Sequence, residues 1–125
     1  MAVYCERADV ENVFGVDNVA EWADLDNDAN ATTIENQITW AIAAAGDEID
    51  DYMRGTRYRL PLQVLAGTTP TSVRDSAATI AGLKLYDRRG IEDDEGGGGL
   101  YGKMRARVYE SLSDIRTGTR KLDAV

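Results

Sequence analysis

Apolar residues recur at intervals of three and four in several separate segments of the chain, a pattern that predicts a helical protein. From Cys5 to Phe14, Ala8, Val10, Val13 and Phe14 follow a short helical stripe, and Gly15 is a natural C-terminal stop. Asp17 or Asn18 is placed to cap a second short helix through Val19, Trp22 and Ala23. The polar run DLDNDANATT then interrupts the period, and its Asp and Asn side chains favour local bonds to the backbone, so a loop is expected there. The strongest periodicity follows. Ile34, Ile38, Ala41, Ile42, Ala45, Ile49, Tyr52 and Met53 form one wide apolar face, with Thr32 or Thr33 as cap and Glu35 in the capping-box position after Thr32. Gly46 inside this helix is compatible with close approach of a neighbouring helix and equally with an exposed site.

Gly55 should end that helix. Pro61 disfavours helical geometry at Leu60 and has no N–H to donate, so Tyr58 to Leu62 reads as an extended strap with Tyr58, Leu60 and Leu62 turned inward. After the GTTPTS turn, Thr71 or Ser72 can cap a helix whose buried side is Val73, Ala77, Ile80, Ala81 and Leu85. The stretch IEDDEGGGGLYG, with four acids and four consecutive glycines, predicts a mobile loop; its acids and the missing Gly-Lys-Ser/Thr ending argue against a phosphate cradle. A last helix is predicted from Tyr101 to Ile115 through Met104, Val108 and Leu112. The fold class expected is therefore all-α: a small bundle of about four to five helices with an extended Pro-containing strap. Residues 1–116 make up the helical domain and residues 117–125 a flexible C-terminal arm.

Composition narrows the chemistry. The 125 residues have the length of one domain with one core. No stretch approaches the ~18–20 consecutive apolar residues that a membrane-spanning helix needs. The opening MAVYCERADV has acids close to Met1 and lacks an apolar signal core, so the protein is expected to be made and used inside a cell. Cys5 is the only cysteine and there is no histidine. An internal disulfide, a thiolate-clamped zinc site and the Ser-His-Asp and Cys-His nucleophile systems are all excluded by that count. A carboxylate-only hydrolase remains conceivable with 22 Asp and Glu, but no enzyme is expected.

The formal net charge of -8 should repel nucleic-acid phosphates and anionic lipid. Most acids are Asp, most bases Arg, and Lys84, Lys103 and Lys121 are the only lysines. This bias points to a halophilic setting as readily as to an ordinary acidic surface, because a dense carboxylate shell is screened at high salt.

One constellation has metal-ligand spacing. Asp24, Asp26, Asp28, Asn30, Thr32 and Glu35 occupy positions 1, 3, 5, 7, 9 and 12 of an EF-hand-type loop, which makes Asp24, Asp26, Asp28, Asn30 and Glu35 candidate ligands of a structural calcium ion. Position 6, normally glycine, is Ala29, where a left-handed backbone would cost about 1–2 kcal/mol. The competing reading is a solvated turn that needs no ion.

Taken in order, the opening ADVENVFG, the DLDNDAN loop, the helix ending EIDDYMRG, the RYRLPL strap and the VRDSAATIAGLKLYDRR helix resemble the Mu-like family of tailed-phage head-to-tail connector proteins. These pieces cover roughly residues 7–89, and RARVYESLSDIRTG fits more loosely. Ala29 and the glycine run before Leu100 depart from the family pattern. The resemblance implies a virion structural protein, present in the host cytoplasm during assembly. It implies a neck or adaptor ring, a dodecamer, that joins the portal protein to the tail or to tail-completion and tail-terminator proteins. DNA would pass through the lumen without sequence-specific recognition, and no membrane is involved. Arg116, Arg120, Lys121, Leu122 and Val125 would form the arm that binds the portal. The alternative from another class is a monomeric, calcium-stabilised protein-binding module.

Overall fold

The computed structural model describes residues 3–24, 28–56, 58, 60–62, 70–88 and 100–118. Five helices run through them: α1 (Arg7–Phe14), α2 (Val16–Ala23), α3 (Ala31–Met53), α4 (Thr71–Arg88) and α5 (Leu100–Thr117). No strand occurs among the described residues, so the all-α bundle is the fold. The glycine-rich loop expected at 90–99 lies outside the described residues.

The short helices meet at a single residue. Gly15 has φ +94°, its N–H bonds to the Glu11 carbonyl at 2.8 Å, and its own carbonyl accepts from Val19 at 3.1 Å. One glycine thus ends α1 and begins α2, an arrangement open to a residue without Cβ. This corrects the expected cap for α2. With the helix starting at Val16, no position is left for Asp17 or Asn18 to cap, and Asn18 instead donates back to the Phe14 carbonyl at 2.9 Å. The α1 stripe is also narrower than its spacing suggests. Val10 and Phe14 are buried, whereas Ala8 is exposed and Val13 is 39 % exposed; Tyr4 and Cys5, from the segment before the helix, fill the space instead.

Helix α3 opens one residue before the predicted Thr cap. Asn30 is the N-cap, its Oδ1 accepting from the N–H groups of Thr32 at 3.0 Å and Thr33 at 3.1 Å. An Asn side chain reaches both of these orphan donors, so the threonines become first-turn residues. Ile38, Ala41, Ile42, Ala45, Ile49 and Met53 are buried as predicted, Ile34 and Tyr52 pack partly against the core, and Gly46 is buried too. At about 1.5 Å per residue the 23 residues of α3 span roughly 34 Å.

The strap behaves as predicted in its contacts: Tyr58 and Leu62 are buried and Leu60 packs against the core. It bends at Tyr58, Leu60 and Pro61 instead of running straight, and the Leu60–Pro61 peptide is cis. Helix α4 then begins against Pro70, whose carbonyl accepts from Val73 at 3.1 Å and Arg74 at 3.0 Å.

All five predicted positions of α4 are buried, and so are Ala78, Gly82, Leu83 and Tyr86. Their spread around the helix follows from its surroundings, because α4 touches each of the other four helices. It runs antiparallel to α3, with Lys84 opposite Glu48 and Arg88 opposite Trp40. It is antiparallel to α5 as well, since Tyr86 and Asp87 meet Tyr101 and Arg105. Small residues on α4 allow the neighbours to approach. At Gly82 the Phe14 ring lies so close that an added Cβ would stand 2.1 Å from Cε2. Phe14, Trp22, Tyr86 and Tyr101 form an aromatic cluster over this point, with neighbouring ring centroids 4.8–5.9 Å apart.

Candidate functional site

The acidic loop is organised by its own backbone. Asp24 Oδ1 accepts from the Asp28 N–H at 3.2 Å, Asp24 Oδ2 from Ala29 at 3.1 Å, and Asp28 Oδ1 from Asn30 at 3.0 Å. Together with the Asn30 cap, these carboxylate and amide oxygens satisfy backbone donors at the entry to α3. Ala29 has φ +56°, so the sixth loop position does take the left-handed turn for which an EF-hand keeps glycine. Glu35, the twelfth position, extends away to Arg7, with Oε2 2.5 Å from Nη1. That bond, more than any other contact, raises the Arg7 pKa. Asp26 lies outside the described residues. Among the described residues no three His, Cys, Asp or Glu side chains gather where they could hold a metal ion.

Two polar nodes tie the helices together. Glu48 on α3 accepts from the Tyr109 hydroxyl on α5 at 2.9 Å, and the Lys84 ammonium on α4 stands 3.0 Å from its other oxygen. That second contact lies off the hydrogen-bond axis, so it acts through charge. Burial, and then the bond to Glu48, push the Tyr109 hydroxyl above its ordinary pKa. At the other node the Tyr4 hydroxyl donates to Asp50 on α3 and accepts from the Leu62 N–H at 2.9 Å, fastening the N-terminal segment and the strap to one helix. Burial and the same Asp50 raise the Tyr4 pKa. Beside it, Cys5 is buried, and burial, with the Asp9 and Glu6 charges, pushes its thiol up to about 12. A thiol so held is a core group and a poor nucleophile.

Two open grooves on the surface are shallow. A groove of about 310 Å³ runs between α4 and α5, lined by Ser72, Ser76, Thr79 and Ser111 with Asp75 and Arg107. A second, about 370 Å³, lies by Tyr4, Cys5, Glu6, Asp9 and Arg74. Of its two acids, Asp9 accepts from the Glu6 N–H at 2.8 Å as part of the start of α1.

Polar chemistry in the described residues thus serves helix ends and helix-to-helix ties, which leaves the identity of the chain to comparison over its whole length. The family described as Bacteriophage Mu, Gp36 matches residues 4–125. The chain belongs to the bacteriophage Mu Gp36 family. It is therefore a Mu-like phage protein. No curated protein matches it. The family match reaches beyond the motifs at 7–89 to include α5 and the C-terminal residues of this Gp36-family chain.

Of the expected arm residues of the Gp36-family protein, Arg116 is exposed on the last turn of α5, and Gly118 follows with φ +84°. Arg120, Lys121, Leu122 and Val125 lie outside the described residues. The surface also carries a feature that the apolar stripes do not include. Trp40 on α3 is 42 % exposed and the Arg88 guanidinium sits 4.4 Å from its ring centroid. Its signal in the sequence is its position off the stripe of α3, a large aromatic residue on a polar face. The Gly82 approach and the Glu48 node left no comparable trace, because each joins residues from separate helices.

Proposed function

We propose that this Gp36-family protein is a subunit of the head-to-tail connector, an adaptor ring that joins the portal to the tail or to tail-completion proteins. The observation that carries the reading is the family match over residues 4–125, nearly the whole chain. Supporting it, the Tyr4–Asp50, Glu48–Tyr109 and Glu48–Lys84 contacts tie the helices to one another, as suits a rigid building block. The net charge of -8 gives a DNA channel walls to which a passing duplex does not stick. The protein acts in the virion and meets its partners in the host cytoplasm during assembly. The arm at Arg116, Arg120, Lys121, Leu122 and Val125 contacts the portal, and the Asp and Arg bias suits assembly at high salt.

Light scattering behind size-exclusion chromatography, in low and molar salt and with added portal protein, tests this. A closed oligomer of defined copy number, alone or on the portal, is the expected result. A protein that stays monomeric and also fails to join the portal overturns the reading.

The second reading, a monomeric calcium-stabilised binding module, is favoured by one observation: the left-handed backbone at Ala29, which places the loop turn where a calcium loop has it. It requires Glu35 to leave Arg7 for the ion. A rise in melting temperature in millimolar calcium that Glu35→Gln abolishes is its signature, and an unchanged melting curve removes it.

A further inference from the structure

Among the described residues the exposed large apolar side chains are Val3, Val13, Val16 and Trp40. Trp40 stands on α3 with Arg88, from the end of α4, lying over its ring at 4.4 Å. Val13 and Val16 flank Gly15, so they share the corner where α1 turns into α2; Val16 is 60 % exposed. On α2 the exposed acids Asp17 and Glu21 follow, one helical turn apart. Neither acid, nor Arg88, forms an ion pair with another described residue.

The two surfaces complement each other. One offers a flat indole with a cation stacked on it; the other offers branched aliphatic groups beside two exposed acids. Resting on the connector reading above, we propose that the Trp40–Arg88 surface of one copy docks on the α1–α2 corner of the next, with Arg88 facing Asp17 and Glu21. Two unlike patches on one subunit make a head-to-tail contact, the kind that closes into a ring by rotation. Charge selects a second copy as the occupant. A chain of net charge -8 repels its own copies, so a self-contact that sets one of its 14 Lys and Arg side chains against acids is the favoured kind. Arg88 is suited to this because stacking on Trp40 already restricts it, so less freedom is lost on docking. Trp and Arg are also the residue types that dominate binding energy at interface centres.

Sedimentation equilibrium of the full-length protein, in physiological and molar salt, tests the contact, with circular dichroism confirming that each variant keeps its helices. The wild-type mass rises with concentration. Trp40→Ala and Arg88→Glu each weaken association at least about tenfold. Arg54→Glu, which changes net charge equally at an exposed site on the far end of α3, stays within about threefold of wild type, which separates a local effect from general repulsion. Combining Arg88→Glu with Asp17→Arg and Glu21→Arg restores association to within about threefold of wild type. Monomeric wild-type protein at every concentration, indifference to Trp40→Ala and Arg88→Glu, or failure of the charge swap to restore association each overturns the proposal. If Trp40→Ala and Arg88→Glu still assemble with the portal as wild type does, this contact is wrong and the connector reading stands. If wild-type protein stays monomeric and also fails to join the portal, the connector reading itself falls.

Discussion

Replacing Gly82 by alanine puts one carbon atom where the Phe14 ring already is. The new Cβ would stand 2.1 Å from Cε2, 2.3 Å from Cδ2 and 3.0 Å from Cζ. Contacts that short cannot persist, so either the ring moves or the helices separate. The ring is not free to swing: it packs edge-on against Trp22 at 5.4 Å and tilts over Tyr101 at 5.9 Å, and those two rings pack on each other and on Tyr86. Overpacking of a filled core costs typically about 1–3 kcal/mol, and here it must also overcome the gain of about 1 kcal/mol that alanine brings to a helix interior. A repacked aromatic cluster belongs at the upper end of that range, so the net loss expected for Gly82→Ala is about 2 kcal/mol. For a domain of this size that lowers the melting temperature by about 6–10 °C. The decisive assay is a double-mutant cycle by urea unfolding. In a Phe14→Leu background the obstructing ring is gone, and Gly82→Ala should be neutral or stabilising by up to about 1 kcal/mol, giving a coupling energy of about 2–3 kcal/mol. Gly82→Ala that stabilises the wild-type protein, or a coupling energy under about 0.5 kcal/mol, would refute the argument that this glycine exists to admit Phe14.

Three further outcomes follow from the other junctions. Ala29→Gly relieves a left-handed backbone that costs alanine about 1–2 kcal/mol, partly offset by the greater freedom of glycine in the unfolded chain, so chemical denaturation should show a gain of about 0.5–1 kcal/mol. Tyr4→Phe removes the acceptor of the Leu62 N–H and the donor to Asp50, and with Leu62 buried it should cost about 1–3 kcal/mol with an unchanged denaturant slope. Stability should fall in alkali. Cys5, Tyr4 and Tyr109 all have folded pKa values raised above their unfolded ones, so their contribution is complete below about pH 9 and is lost as pH rises, first through Cys5, whose folded value is about 12. Unfolding midpoints measured from neutral pH to about pH 11 should decline, and Cys5→Ala should lessen the early part of that decline.

Which parts of this protein could be read from its sequence depends on how far apart the interacting residues lie. The helices, their buried faces and their stops at Gly15 and Gly55 are written in residues three or four apart, and Ile38 through Met53 on α3 or Val73 through Leu85 on α4 are buried as their spacing predicts. Local pattern is not enough where two local solutions compete. Thr32 followed by Glu35 is a sound capping box, yet Asn30, two residues earlier, takes the Thr32 and Thr33 N–H groups and leaves Glu35 to Arg7, a partner 28 positions away that no local rule supplies. At α2 the local pattern offers Asp17 or Asn18 as the cap after a stop at Gly15, whereas a glycine with positive φ serves both helices.

The candidate sites divide along the same line. The spacing from Asp24 to Glu35 is a one-dimensional pattern, and it was visible; whether such a pattern is a cage or a cap depends on where the oxygens turn, which the spacing does not encode. In the described residues they turn to the backbone N–H groups of Asp28, Ala29, Asn30, Thr32 and Thr33, and to Arg7. Trp40 shows the converse. It breaks the stripe of α3, and a stripe-breaking aromatic residue on a helix of an acidic protein has lost the usual reason to be there, since its burial is not what holds the helix. Arg88 gives that surface its chemistry, and it arrives from 48 residues further along the chain because α4 runs back beside α3. Periodicity can therefore mark a residue as unspent by the core; only the antiparallel return of α4 turns the mark into a surface with a charge and a shape that a second subunit can meet.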